Sequence, residues 1–106
     1  MTRTVRDPIE LLRDRLEEQF QLNTDLLSEF TVCSRQPDRG GYDRDTLAAL
    51  IASCRQAIAD TAQALRHMAE GDYGICERCG DRIPIERLQI LPDTRFCVSC
   101  QWTRTI

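Results

Sequence analysis

Four of the six cysteines in this 106-residue chain fall as Cys76-x-x-Cys79, seventeen residues, then Cys97-x-x-Cys100. Two close pairs of soft thiolates at this separation suit one tetrahedral zinc ion, each C-x-x-C turn delivering two ligands from a tight knuckle. Gly80 directly follows Cys79, where such a knuckle often needs a positive backbone dihedral. A redox-active C-x-x-C is the competing chemistry, but a second pair at zinc-ribbon spacing argues for metal. With all four positions filled by cysteine, no coordination site stays open for a catalytic water. The expected cofactor is therefore one structural Zn2+ on Cys76, Cys79, Cys97 and Cys100. Cys33 and Cys54 lie far upstream. They are expected to be two small buried hydrophobes rather than a redox pair.

Little else in the chain could do chemistry. His67 is the only histidine, flanks an apolar stripe and is expected to face solvent. No Ser/His/Asp or paired-carboxylate constellation accompanies it. A zinc deaminase would need His-x-Glu and Pro-Cys-x-x-Cys, whereas here Phe96 precedes Cys97 and two residues separate His67 from Glu70. An enzyme is not expected. The net charge is −3, with fourteen arginines and no lysine, a poor match for coating phosphate backbones. No apolar run approaches the roughly 18 residues that span a bilayer. The segment from Met1 to Pro8 lacks the apolar core of a secretory signal. A cytoplasmic protein with no membrane partner is the expectation, and in that compartment disulfides are uncommon.

The elements that must carry the finger read clearly. Residues 8–33 and 44–70 are helix-like, and Gln36-Pro-Asp-Arg-Gly-Gly-Tyr42 between them is a turn signal. Asp7 and Pro8 suit an N-cap and a first-turn proline, Asp45 or Asp43 could cap the second helix, and Gly71 ends it. A heptad template falls on Ile9, Leu12, Leu16, Gln19, Asn23, Leu26, Phe30 and Cys33 in the first helix. In the second it falls on Leu47, Ile51, Cys54, Ile58, Thr61, Leu65 and Met68. If the chain folds back at Gly40 and Gly41, antiparallel partners from Cys33/Leu47 to Leu12/Met68 all have positions summing to 80 or 81. A turn placed by glycines and a seam placed by apolar residues thus agree on an antiparallel coiled-coil hairpin. Gln19, Asn23 and Thr61 form a polar layer midway, either a tolerated defect or a register-fixing device. The expected fold is mainly α. An antiparallel two-helix coiled-coil hairpin (residues 1–71, tip about 35–45) precedes a small four-cysteine zinc finger with a short C-terminal helix (residues 72–106).

Asp72-Tyr-Gly-Ile-Cys-Glu-Arg-Cys-Gly-Asp-Arg-Ile83, Ile85-Glu-Arg-Leu88, Pro92 and Phe96-Cys-Val-Ser-Cys-Gln101 resemble the finger of the DksA/TraR family. The upstream hairpin is similar in architecture to the DksA branch. The resemblance implies a bacterial transcription regulator that binds RNA polymerase rather than DNA. Its coiled coil would enter the secondary channel and place its tip near the catalytic magnesium, altering promoter complexes. The family's tip motif, Asp-x-x-Asp-x-Ala, is altered: Gly40 stands at the first Asp, Asp43 at the second and Asp45 at the Ala. On that basis Asp43 is the expected functional acid and Asp45 the cap. The second helix is about one heptad shorter between tip and finger than in the family, and the helix after Cys100 is cut short. Family residues that bind ppGpp through basic side chains fall at Ser53, Asp60 and Gln101, none of them basic, so ppGpp dependence is not expected. The protein is expected to act as a monomer.

Two other functions compete. C-x2-C-x17-C-x2-C is also the spacing of GATA-type DNA-binding fingers. However, residues 76–106 hold five arginines and four acids, and the tail from Gln101 to Ile106 adds a single arginine where a DNA-gripping extension would be basic. A coiled-coil adapter for some other protein fits the composition equally well. Target promoters and the direction of regulation are not encoded in these features.

Overall fold

The computed structural model describes residues 7–105. The ends of the two expected domains, residues 1–6 and Ile106, lie outside the described residues. Helix α1 runs Pro8–Ser34 and helix α2 Arg44–Glu70, with a single 3-10 turn at Arg39–Gly41 between them. Two short helices follow, α3 (Ile85–Ile90) and α4 (Val98–Thr105). The molecule measures 53 × 47 × 21 Å along its principal axes. No helix among the described residues is long and apolar enough to cross a membrane.

Local chemistry sets each boundary. Asp7 caps α1 by accepting the Ile9 N–H at 2.8 Å, and Pro8 at the first helical position has no N–H to leave unpaired. Gly71 ends α2 in the left-handed region at φ 87°, its N–H donating to the His67 carbonyl at 2.9 Å; the missing Cβ makes that conformation inexpensive. Each long helix has 27 residues, so the arm is about 40 Å long at 1.5 Å per residue.

The seam follows the heptads. Leu12, Leu16, Leu47, Cys54 and Thr61 are buried, and Ala64 joins them. Ile9, the first residue of the template, departs from it and is 41% exposed. A partner in register would lie at Gly71 or Asp72, past the end of α2, so nothing remains to cover it. Within the polar layer Thr61 is 1% exposed. Its hydroxyl donates to the carbonyls of Ala57 (2.8 Å) and Ile58 (3.1 Å) in its own helix. The Asn23 amide likewise donates to the Gln19 carbonyl at 2.8 Å. Both groups are thus satisfied inside their own helices, which makes the layer locally tolerable. Cys54 is buried, and Cys33 is half-buried under the tip, in line with two small hydrophobes.

At the base, hairpin and finger share one core. Leu12 of α1 is buried with Cys76, Ile83 and Leu88, and Met68, Tyr73 and Phe96 pack against that cluster. The Tyr73 hydroxyl donates to the Pro92 carbonyl at 2.8 Å, and burial pushes its pKa up to about 12. On the α1 side, the Arg15 guanidinium donates to the Gln89 carbonyl at the end of α3.

Candidate functional site

The chain brings its four finger cysteines together from two knuckles. In the first, Cys76 N–H donates to the Asp81 carbonyl (2.8 Å) and Gly80 N–H to the Cys76 carbonyl (3.0 Å). Gly80 adopts φ 77°, the conformation foreseen for it. In the second, α4 opens just after Cys97, and Gln101 N–H donates to the Cys97 carbonyl at 2.9 Å. The four sulfurs all lie within 4.8 Å of one another. A tetrahedron of sulfurs around zinc with bonds of about 2.3 Å has edges of about 3.8 Å; the Cys79 and Cys97 Sγ atoms are 3.7 Å apart. The donor set therefore fits zinc.

Electrostatics agree. Burial opposes charge on Cys76, yet backbone N–H groups of Cys79, Cys97 and Arg78 aimed at its sulfur bring its pKa down to about 6. Burial and three neighbouring thiols push Cys100 up to about 12. Four thiols packed this closely cannot all ionise without a cation among them, and a zinc ion supplies that charge. With four cysteine ligands the ion is structural: it holds the finger folded and leaves no open position.

At the opposite end, the tip is tightly built. Phe30 and Tyr42 meet edge to face with ring centroids 5.8 Å apart, and Gly40 at φ 62° lies against the Cys33 side chain. The N-cap of α2 is Asp43, not Asp45. Its Oδ1 accepts the Thr46 N–H at 2.6 Å and its Oδ2 the Thr46 hydroxyl at 2.9 Å, which holds its carboxyl below the usual carboxylate range. Asp38 is similarly engaged, accepting the Gly40 N–H at 3.2 Å. Asp45 sits in the first turn of α2, where acids favour the helix N-terminus, and its carboxylate has no partner among the described residues. Of the three tip aspartates, Asp38 and Asp43 are thus the ones engaged in local hydrogen bonds.

His67 also departs from expectation. Its side chain is 25% exposed, and the chain reversal at Gly71 brings Asp72 back to it, with Nδ1 2.8 Å from Oδ1. It belongs to the joint between hairpin and finger rather than to an outer face. Four more residues meet at that joint without a sequence signal. Arg95 makes a bidentate pair with Glu77 (Nε–Oε2 2.8 Å, Nη2–Oε1 3.1 Å), and its Nη1 lies 3.9 Å from Asp60 of α2. Gln63 of α2 donates to Glu77 Oε1 at 3.0 Å. The guanidinium stands 5.7 Å from the centre of the Phe96 ring.

Asp60 and Gln101 line an open groove of about 580 Å³ with Arg87, Asp93 and Arg95. The two arginines there are balanced by the two aspartates. Arg95 is committed to Glu77, while Arg87 Nε donates to the Phe96 carbonyl at 3.2 Å.

Fold and site together define a class: a long antiparallel helical hairpin mounted on a four-cysteine zinc finger. The prokaryotic dksA/traR C4-type zinc finger family matches residues 71–102, so the finger of this chain is of the DksA/TraR type. It is similar to the uncharacterized protein YteA of Bacillus subtilis, at 31% identity over 99 residues, covering 87% of this chain and 41% of that protein. The RNA polymerase-binding transcription factor DksA of Escherichia coli K12 is 34% identical over 47 residues, 44% of this chain and 31% of that one. Among solved structures, the transcription factor DksA2 from Pseudomonas aeruginosa superposes with a TM-score of 0.72 at 23% identity. That match covers 92% of this chain and 83% of the other. The similarity to DksA2 is one of fold. The matches span only 26% to 41% of the first curated relatives.

Proposed function

We propose that this protein is a bacterial transcription regulator that binds RNA polymerase through the secondary channel and modulates initiation without gripping DNA itself. The observation that carries this reading is the pairing of a DksA/TraR finger with a 27-residue, two-helix arm. An arm about 40 Å long and two helices wide suits a narrow channel. The finger and base of the hairpin supply most of the affinity, while the tip supplies the effect. At the tip, Asp45 offers a free carboxylate where water is scarce and charge counts for more, and Asp43 fixes the start of α2 beneath it. The protein acts as a monomer in the cytoplasm and is not an enzyme. Its response does not require ppGpp, because the groove at Asp60 and Gln101 is charge-balanced and its arginines are already committed.

The test is direct binding of the zinc-loaded protein to bacterial RNA polymerase, alongside duplex DNA, with promoter-complex lifetime measured separately. Polymerase binding is expected, with no DNA binding at physiological salt. Asp45→Asn should keep affinity and lose the lifetime effect. Binding to DNA without polymerase would instead favour the GATA-like alternative, and neither interaction would favour an adapter for another protein.

A further inference from the structure

We propose that the Glu77–Arg95 pair, braced by Asp60 and Gln63 of α2, is the strut that fixes the angle between hairpin and finger, and so positions the tip for the polymerase. Its use at the polymerase rests on the function proposed above; the strut itself does not.

Hairpin and finger meet first through the apolar cluster at the base, where Leu12 and Met68 pack with Cys76, Ile83 and Leu88. Hydrophobic contact is non-directional, so this patch alone is a pivot. Asp60 and Gln63 stand five to eight residues nearer the tip than Met68, about 8–12 Å along the helix. A second contact at that distance turns a pivot into a fixed angle, and the bond from Arg15 to the Gln89 carbonyl steadies the α1 side.

The second contact is directional. A bidentate Arg–carboxylate pair constrains both partners' planes, and Glu77 reaches Gln63 while Arg95 reaches Asp60. Both finger residues are held by the metal knuckles. Glu77 lies between Cys76 and Cys79, Arg95 two residues before Cys97, and the Glu77 N–H donates to the Arg95 carbonyl at 2.9 Å. The side chains of Asp60, Glu77 and Arg95 are 24%, 27% and 38% exposed. Pairs this wet add little to stability, so orientation is the larger effect. Leverage makes it matter: on an arm about 40 Å long, a swing of about 10° moves the tip about 7 Å.

The experiment places nitroxides on ketone-bearing residues substituted at exposed Glu29 in α1 and Glu86 in α3, then measures their distance distribution in the zinc-loaded full chain. The test variant is D60A/Q63A, which leaves the finger intact and installs alanine, the best helix former. A clearly broader distribution is expected, with zinc content and helical signal unchanged. If the competent angle is then populated about a tenth of the time, polymerase affinity falls about tenfold. A distribution as narrow as wild type in D60A/Q63A, and again in Arg95→Ala, overturns the strut. Broadening with unchanged polymerase affinity overturns its positioning role. Broadening in a protein that binds no polymerase even as wild type upholds the strut and overturns its use together with the functional proposal.

Discussion

Gly40 gives the sharpest handle on the hairpin tip. It adopts φ 62°, and a Cβ built there would stand 2.7 Å from Cys33 Sγ and 3.4 Å from Cys33 Cβ. Gly41 adopts φ 90° with nothing within 4 Å of a Cβ. Gly41→Ala therefore meets only the left-handed backbone penalty, about 1–2 kcal/mol. Gly40→Ala meets the same penalty plus a clash with a half-buried side chain whose single χ angle is limited by its helix, adding about 1–3 kcal/mol. Cys33→Ala removes the offending sulfur and leaves a Cβ contact of 3.4 Å. The pair should consequently show coupling, with Cys33→Ala recovering about 1–3 kcal/mol of the Gly40→Ala loss. Urea unfolding followed by helical circular dichroism, at fixed zinc, measures all four variants. If Gly40→Ala is no worse than Gly41→Ala, or if Cys33→Ala brings no recovery, the turn does not fold back over Cys33 and the tip geometry is wrong.

Three further outcomes are expected. Chelating the zinc, or Cys79→Ser, should unfold the finger and lower the helical signal by about a fifth, the share contributed by α3 and α4; an intact, protease-resistant finger without metal would refute this. The Asp43 carboxyl is held below the ordinary aspartate value of 3.8, so its capping contribution is complete above that value and fades as pH falls through the lower folded-state pKa. The Thr46 amide shift should titrate with a midpoint below 3.8, a step that Asp43→Asn removes. Leu16, at 0% exposure, should cost about 3–5 kcal/mol on replacement by alanine, measured by the same urea unfolding.

The hairpin was legible because its determinants are local or periodic. Heptads, two glycines and a proline place α1 and α2, and the tight thiol spacing identifies the metal. That Asp43 rather than Asp45 caps α2 was not legible from composition, since either acid suits a helix start. The decision lies in where helical dihedrals begin, and a cap needs its acceptor within reach of an N–H two or three residues on. Thr46, three residues after Asp43 and offering both N–H and hydroxyl, is the signal that could have found it. The docking of finger on hairpin was hidden for a different reason. Tyr73, Ile83, Leu88 and Phe96 follow no period, and their meeting with Leu12 spans most of the chain. His67 misled because its partner, Asp72, lies beyond a helix end, where helical-wheel logic no longer applies.

Sharing Leu12 between α1 and the finger also dictates an order of assembly. During synthesis α1 emerges first, with Leu12 uncovered, and the seam can close as soon as α2 leaves the ribosome, because its contacts nest around a short turn. The base must wait for Ile83 and Leu88, then for the last cysteine to capture its metal, before Leu12 is sealed. Contacts of such long sequence separation form late. A chain starved of zinc would thus stall as a finished arm with a sticky end, Leu12 and Met68 open to proteases and chaperones. Metal supply would govern how much of the protein survives as well as how well it is folded.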